Sequence, residues 1–485
     1  MIMGILLSIF ARKPLHLIQA QADDHSSGMR RSLTGMNLLL LGIGGIIGTG
    51  IFVLTGTAAA NYAGPAIAIS FIISGIACTF AALCYAEMAS MIPISGSAYT
   101  YAYATLGQLV AWIIGWDLVL EYLFGASTVA VGWSGYVVSF LKDYDIHIPA
   151  AISQAPFAHS SELGWTRTGA IINLPAVVIV ALCTMLLYVG VKESARFNNI
   201  IVAVKLTVLA LFIAFGSMHI VPDNWVPFIP ENTGVEGHFG WSGILRGAGV
   251  IFFAYIGFDS VSALAQETKN PQRDMPIGIL GSLVVCTILY IIVSLVLTGV
   301  IKYDQLNVPD PMAVAIDATG SSLFWLRKFI KVGAIAGLSS VVLVLLMAQP
   351  RILFSMARDG LLPPASARIH PKYGTPYVMT VVTGILSAII AGLFPIGVLG
   401  ELVSIGTLLA FVLVCLGVLV LRIKEPDAHR PFRAPAVYVV SILGAGGAFL
   451  QMWSLPSETW DRLFIWMALG LAIYFFYGRR NATVQ

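Results

Sequence analysis

The sequence predicts an all-α polytopic membrane protein of twelve transmembrane helices, the first and sixth of them discontinuous. Three observations carry this. Of 485 residues, 58% are hydrophobic and only 11% charged, with mean hydropathy +0.87, whereas a soluble domain carries roughly 25% charge. Apolar runs of about 20 residues, enough to cross a hydrocarbon core of about 30 Å, recur along the chain. Two of these runs are interrupted: Ile43 to Gly50 reads Ile-Gly-Gly-Ile-Ile-Gly-Thr-Gly within a run from Met36 to about Ala60, and Phe252 to Asp259 reads Phe-Phe-Ala-Tyr-Ile-Gly-Phe-Asp within a later one.

In order, the spans fall at about 36–60, 65–88, 106–140, 170–190, 198–219, 243–266, 276–300, 330–355, 376–394, 399–421, 434–454 and 460–478. The third and eighth exceed what a bilayer needs, so tilt or extension beyond the lipid is expected. With the amino terminus inside, eighteen of the 27 lysines and arginines fall on inner segments, eight on outer segments or outer span ends, and Lys205 within a span. That skew is the positive-inside signature and puts both termini in the cytoplasm of a multi-pass cell-membrane protein. Residues 1–35 form a cytoplasmic amino-terminal segment, read as a short interfacial or loosely ordered tail, since Met1 to Phe10 lack the leading charge and small-residue cleavage site of a signal peptide.

With breaks in spans one and six, spans one to five (36–219) and six to ten (243–421) form equivalent sets. Five is odd, so the sets enter the membrane from opposite sides and are inverted. Spans eleven and twelve (434–478) lie outside the repeat. Trp453, Trp460, Trp466, Tyr474, Phe475 and Tyr477 suit interface anchors on a peripheral scaffold or dimer contact, in a monomer or weak homodimer.

A membrane span must satisfy its own backbone, so an opened helix at mid-span has to line a cavity. The freed N–H groups of Gly48, Thr49 and Gly50 would face an anion, and the freed carbonyls of the first half a cation. A zwitterion carries both charges a few ångströms apart. Paired interrupted spans point to a secondary transporter's binding site.

Lys205, in Val-Ala-Val-Lys-Leu-Thr-Val, stands well inside span five. A charged lysine there faces the bundle interior, a counter-charge or water, or gives up its proton, which makes it a candidate proton carrier able to bridge spans one and eight. Asp117 and Glu121 share a helix face at i,i+4 in span three, so either one is protonated or one pairs with Lys205. Glu121 is favoured as the pairing or coupling residue and Asp117 as its neighbour. Asp259 suits a cap on the second half-helix. Glu87 reads equally as a gate contact or an end-of-span charge, Arg246 as a snorkelling charge in preference to an entrance role, and Pro350 as shaping the inner end of span eight rather than contacting substrate. The charges of Glu267 to Pro276 and Arg358 to Pro363 either lock neighbouring helices or act as caps and orientation signals.

Cys78, Cys84, Cys183, Cys286 and Cys415 all fall in apolar runs without ligand spacing and read as packing residues. His147, His159 and His238 are scattered through polar outer loops beside Asp143, Asp145, Glu162, Asp223, Glu231 and Glu236, and read as solvent-exposed. Nothing in the chain spells a nucleic-acid or metal motif, and no nucleophile and base are arranged for catalysis, so an enzyme is not expected.

The chain resembles the amino acid, polyamine and organocation transporter superfamily, and within it bacterial relatives of cationic amino acid transporters. The resemblance covers about residues 30–480. It rests on Gly42-Ile-Gly-Gly-Ile-Ile-Gly-Thr-Gly-Ile-Phe52, Tyr85-Ala-Glu-Met-Ala89 with Pro93-Ile-Ser-Gly-Ser-Ala-Tyr99, Gly115-Trp-Asp-Leu-Val-Leu-Glu-Tyr122, Phe252 to Asp259, and Asn270-Pro-Gln-Arg-Asp-Met-Pro276. It implies a LeuT-like five-plus-five fold and transport by alternating access. A substrate carboxylate would meet the N–H groups of Gly48, Thr49 and Gly50, and its amine the carbonyls of Ile46, Phe253, Ala254 and Ile256. Phe258 would be a lid closing the site from outside. By the same resemblance Lys205 takes the place of a structural sodium ion, Glu121 that of a coupling acid, and Leu338 narrows the side-chain pocket. The expectation is proton-coupled symport of small or medium neutral L-amino acids, with no cofactor. Cationic substrates, arginine or lysine, or exchange of amino acids and amines are the alternatives.

Overall fold

The computed structural model describes residues 11–14, 18, 31–160, 164–235, 237–308, 310–320, 323–453, 455 and 457–483. Met1 to Phe10, Arg30, Glu162 and Glu236 lie outside the described residues. Among those described the chain is overwhelmingly helical. Eight helical segments are long and apolar enough to cross a membrane, and three apolar helices of 10–17 residues join them.

The first segment opens with α1, Gly35–Ile46, started by a capping box in which Asn37 N donates to Thr34 Oγ1 at 3.4 Å and Thr34 N to Asn37 Oδ1 at 3.1 Å. It stops at Ile47, whose backbone is extended, and resumes as a π-helical turn at Gly50–Leu54. The chain then turns at Gly64 into α2, Ile67–Met91. A further helix, α3 (Ser97–Thr105), joins it to α4 (Gln108–Val119), a π turn at Leu120–Phe124, and α5 (Gly125–Lys142). The expected outer loop contains a hairpin of β1 (Phe157–Ser160) and β2 (Gly164–Arg167), paired antiparallel with Phe157 opposite Arg167. Neither α3 nor the hairpin is signalled by hydropathy, because both are short and lie between apolar runs.

Next come α6 (Leu174–Val189), capped by Asn173 Oδ1 accepting from Ala176 N at 3.3 Å, and α7 (Val191–Ser217). Then α8 (Gly240–Ile251) continues as a 3₁₀ turn at Phe252–Tyr255, breaks at Ile256 and Gly257, and resumes as a 3₁₀ helix at Asp259–Glu267. The remainder is α9 (Pro271–Val300), α10 (Pro311–Asp317), α11 (Phe324–Arg358), α12 (Tyr377–Leu393), α13 (Ile396–Lys424), α14 (Val437–Trp453) and α15 (Ser457–Ile473).

The 35-residue α11 forms the spine, packing against α1, α5, α6, α7 and α12. On the flank, α14 rests on α13 and α2, and α15 on α13 and α4. Two aromatics expected as interface anchors are packing residues instead. Trp466 stacks on Trp116 with centroids 4.6 Å apart, each indole donating to the other's backbone carbonyl, and Tyr474 is fully buried beside Trp112. Trp453 and Phe475 are exposed. All five cysteines are buried thiols.

Candidate functional site

The two helix breaks touch. Gly257 has φ +122°, and a Cβ there would stand 2.8 Å from the Gly45 carbonyl group. At Gly50 a Cβ would fall 2.2 Å from Ala254 Cβ, so the glycine lets the restarting first segment lie against the backbone before the second break. A helix start leaves N–H groups without intrahelical partners, and here that start adjoins the carbonyls of Phe253 to Ile256.

A cavity of about 410 Å³ leads from the Arg246 end of α8 down to this meeting point, within the size range of small-molecule sites. Its wall includes Val53, Leu54, Val250 and Ile396, with Arg246 as the one charged residue among the described lining and Phe253 and Thr49 at its inner end. Arg246 therefore lines the cavity, its guanidinium 5.8 Å from the Tyr62 ring centroid, rather than snorkelling away from it. Phe253 and Thr49 also line a small void beyond, together with Ile46, Gly48, Gly50, Ile256 and Val341. The buried Thr49 hydroxyl has no hydrogen-bond partner among the described residues.

Two expected site residues sit elsewhere. Phe258 lies past the second break, buried with Tyr85 and Phe411 at centroid distances of 5.9 and 5.2 Å, on the side away from the cavity. The ring at the inner end of the cavity is Phe253. Leu338 is fully buried and lines neither space. Val341, one turn along α11, and Leu345 do so.

The carbonyls of Ile46 and Ala254 are already engaged. Tyr290 of α9 places its hydroxyl 2.7 Å from the first and 2.8 Å from the second, tying the two broken segments together. Tyr290 is not among the residues singled out from the sequence. Its signal is a lone tyrosine in the middle of an apolar span, since a buried hydroxyl needs a partner.

Lys205 is fully buried, and Nζ donates to the carbonyls of Ile43, Gly44 and Ile47 at 3.0–3.1 Å and to Ser340 Oγ at 2.8 Å. Ser340 lies 2.8 Å from the carbonyls of Gly44 and Gly337 as well. The ammonium thus bridges α1 to α11 at the turn where α1 ends. Among the described residues its hydrogen-bond partners include no carboxylate, which corrects the expected pairing with Glu121 or Asp117.

Those two acids face α13 instead. Glu121 sits on the π turn, its carboxyl beside Asp259 and the Thr407 hydroxyl, and Asp117 lies against Gly406. Among the described residues neither Glu121 nor Asp117 makes a hydrogen bond of ordinary geometry. Asp259 receives the Tyr122 hydroxyl and the Gly257 N–H at 3.2 Å, so it binds back into the break rather than capping the helix that follows.

The far side of the breaks is held shut by ion pairs. Arg351 makes a buried two-pronged contact with Glu267 at 2.9–3.2 Å. Glu87 binds Arg422 at 2.7 Å, Arg430 at 3.3 Å and Ala434 N at 2.8 Å. Lys13 pairs with Asp359, which also receives the Tyr99 hydroxyl.

A membrane-embedded bundle with a solute-sized cavity ending at two facing helix breaks is the build of a transport protein. The family model for amino acid permeases matches residues 33–475, and the chain belongs to that family. It is 49% identical over 478 residues to the methylthioribose transporter of Bacillus subtilis (strain 168), and 47% identical over 480 residues to the branched-chain amino acid permease BcaP of the same organism, with 99% of both chains covered each time. It is 38% identical over 421 residues, 87% of this chain and 68% of the relative, to the vacuolar cationic amino acid transporter 4 of Arabidopsis thaliana.

Proposed function

We propose that the protein carries neutral L-amino acids with apolar side chains, of about the size of alanine to leucine, across the cell membrane together with protons. The observation that carries this is the cavity above the helix breaks: its described lining is mostly apolar, with Val53, Leu54, Val250, Phe253 and Ile396, and its charged member among the described residues is Arg246, a cation that disfavours a cationic side chain. The branched-chain permease relative supports the same choice.

The reading takes the twelve-span topology with inverted halves at 36–219 and 243–421, and both termini in the cytoplasm. The cavity then opens outward and the Glu267 end faces inward. The carboxylate meets the start of the second segment at Gly48, Thr49 and Gly50. The ammonium reaches the carbonyls of Phe253 and Ile256, and displaces the Tyr290 hydroxyl from Ile46 and Ala254. Lys205 couples the proton: charged, it ties α1 to α11, and neutral, it releases them. Glu121 beside Asp259 is a second proton position on the same path. The working form is a monomer or weak homodimer.

The test is uptake of labelled valine into sodium-free proteoliposomes under an imposed proton gradient, with unlabelled competitors. Valine, leucine, isoleucine and alanine are expected to compete, and Lys205→Ala to abolish accumulation against a gradient. Competition by arginine and lysine alone would overturn the substrate, and a need for sodium the coupling. Uptake that requires preloaded amino acid would make the protein an exchanger. Methylthioribose is a second reading, favoured by the 49% identical relative, and belongs in the same panel. It lacks the zwitterion that the two helix breaks suit, and is expected not to displace valine.

A further inference from the structure

Side chains of α7 hold α1 at two levels. Lys205 Nζ donates to the Ile47 carbonyl at 3.0 Å, and two helical turns earlier on α7 the Asn198 Nδ2 donates to the Leu40 carbonyl at 3.1 Å. Each contact joins residues 158 apart in the chain, so the two helices run side by side in the same direction and keep one register. Positions i and i+7 share a helix face, which puts Asn198 and Lys205 in line along α1.

The glycine string makes room for the amide. A Cβ on Gly44 would collide with Asn198, 2.8 Å from Nδ2 and nearer still to Oδ1, whereas Gly42 faces Ser282 and Gly45 faces Val344. Gly44 is also where the two contacts meet, since its own carbonyl takes Lys205 Nζ at 3.0 Å. Asn198 is fully buried, and its Oδ1 has no hydrogen-bond partner among the described residues. Turning the amide over would set oxygen against oxygen at Leu40, so the nitrogen is the atom that faces α1. Around Lys205 itself, α1 offers carbonyls, α11 the Ser340 hydroxyl and α9 the Cys286 thiol, the titratable group among the described residues that acts on it.

The two contacts differ in what undoes them. An ammonium that loses its proton loses much of its hold on a set of carbonyls, whereas a carboxamide N–H does not titrate. We propose that Asn198 is a positioning residue for proton coupling, which keeps the first half of α1 docked on α7 while Lys205 is neutral. Proton loss then loosens α1 from α11 without freeing it from α7, so deprotonation alone does not open the bundle. This rests on the coupling role given to Lys205 above.

Spin labels on Met36→Cys of α1 and Ile200→Cys of α7, at positions 63% and 61% exposed, read the separation of the two helices in the full-length protein in nanodiscs. Lys205→Ala alone is expected to keep the wild-type distance. Adding Asn198→Leu, which keeps the bulk and removes the donor, is expected to raise the separated population by about threefold to tenfold, the effect of one hydrogen bond. With Lys205 intact, Asn198→Leu is expected to make the distance lengthen as pH rises and the ammonium loses its proton, while wild type holds its distance. Should either variant fail to fold, Lys205→Met or Asn198→Ala replaces it. Separation in the Lys205 variant alone, a double variant as close as wild type, or a distance in Asn198→Leu that ignores pH would overturn the proposal. The distances need neither substrate nor gradient, so sodium-driven uptake would overturn the coupling reading and leave the docking by Asn198 to be decided here.

Discussion

At the scale of single residues, the carbonyls freed by the breaks are held by side chains on other helices. Lys205 takes three of them at the end of α1, and Tyr290 stands between Ile46 and Ala254. A buried carbonyl left unpaired costs about 1–3 kcal/mol. Tyr290→Phe is therefore expected to lower the melting temperature of the substrate-free protein. If the substrate ammonium takes over those carbonyls, saturating valine will raise the melting temperature more in Tyr290→Phe than in wild type, and an equal or smaller shift would remove the ammonium from that position. Glu121→Gln is expected to keep or raise stability, since it removes a carboxyl crowded against Asp259 without breaking a hydrogen bond of ordinary geometry. Proton-driven uptake is the matching readout and is expected to fall. The depth of Lys205 and the glycines of both breaks were legible in the sequence, because each is an anomaly within its own helix. The bridge from Lys205 to spans one and eight was legible too, whereas the carboxylate partner expected from span three was not found. Whether a buried amine finds a carboxylate or a set of carbonyls depends on which helix packs beside α7, and spacing within one helix carries no record of that.

At the scale of elements, hydropathy located the long helices to within a few residues but not what joins or staples them. The stretch 88–106 is too polar to read as a span and yields α3, and the hairpin lies in a segment whose strands are four residues each. Trp466 on α15 and Tyr474 in the π turn that follows it look like interface aromatics by composition and are drawn inward because α4 offers Trp112 and Trp116 to meet them. The staple with the largest expected energetic effect is Arg351 of α11 with Glu267, 2% and 1% exposed as side chains. Removing one partner of such a pair leaves a buried charge uncompensated and costs about 3–5 kcal/mol, whereas replacing both by apolar residues is often neutral. Arg351→Ala is thus expected to melt several degrees lower than wild type, and Arg351→Met with Glu267→Leu to recover most of the loss. A double variant no better than the single one would mean that Arg351 stabilises the fold through its bond to the Met347 carbonyl and its packing rather than through the charge pair.

At the scale of the whole molecule, the cavity reaches the breaks from the Arg246 end, while aromatic packing and three ion pairs close the opposite end. If the proposed transport runs by alternating access, that second set has to part. The Lys13–Asp359 contact is the most distinctive of the three because both ends of the described chain converge on it: Asp359 holds Lys13, and its carbonyl accepts Thr483 N and Oγ1 at 3.1 and 3.2 Å. Asp359→Asn weakens the charge pair while leaving the backbone bonds to Thr483 in place, and so shifts the population toward the state open at that end. Ser262, fully buried and 2.6 Å from Ser97, reports on this when changed to cysteine, against five native cysteines that are buried. Maleimide labelling of Ser262→Cys is expected to speed up several-fold in the Asp359→Asn background, and saturating valine to change the labelling rate in both backgrounds. An unchanged rate, with the melting temperature lowered, would make the Lys13 contact a fastening of the fold rather than part of the gate.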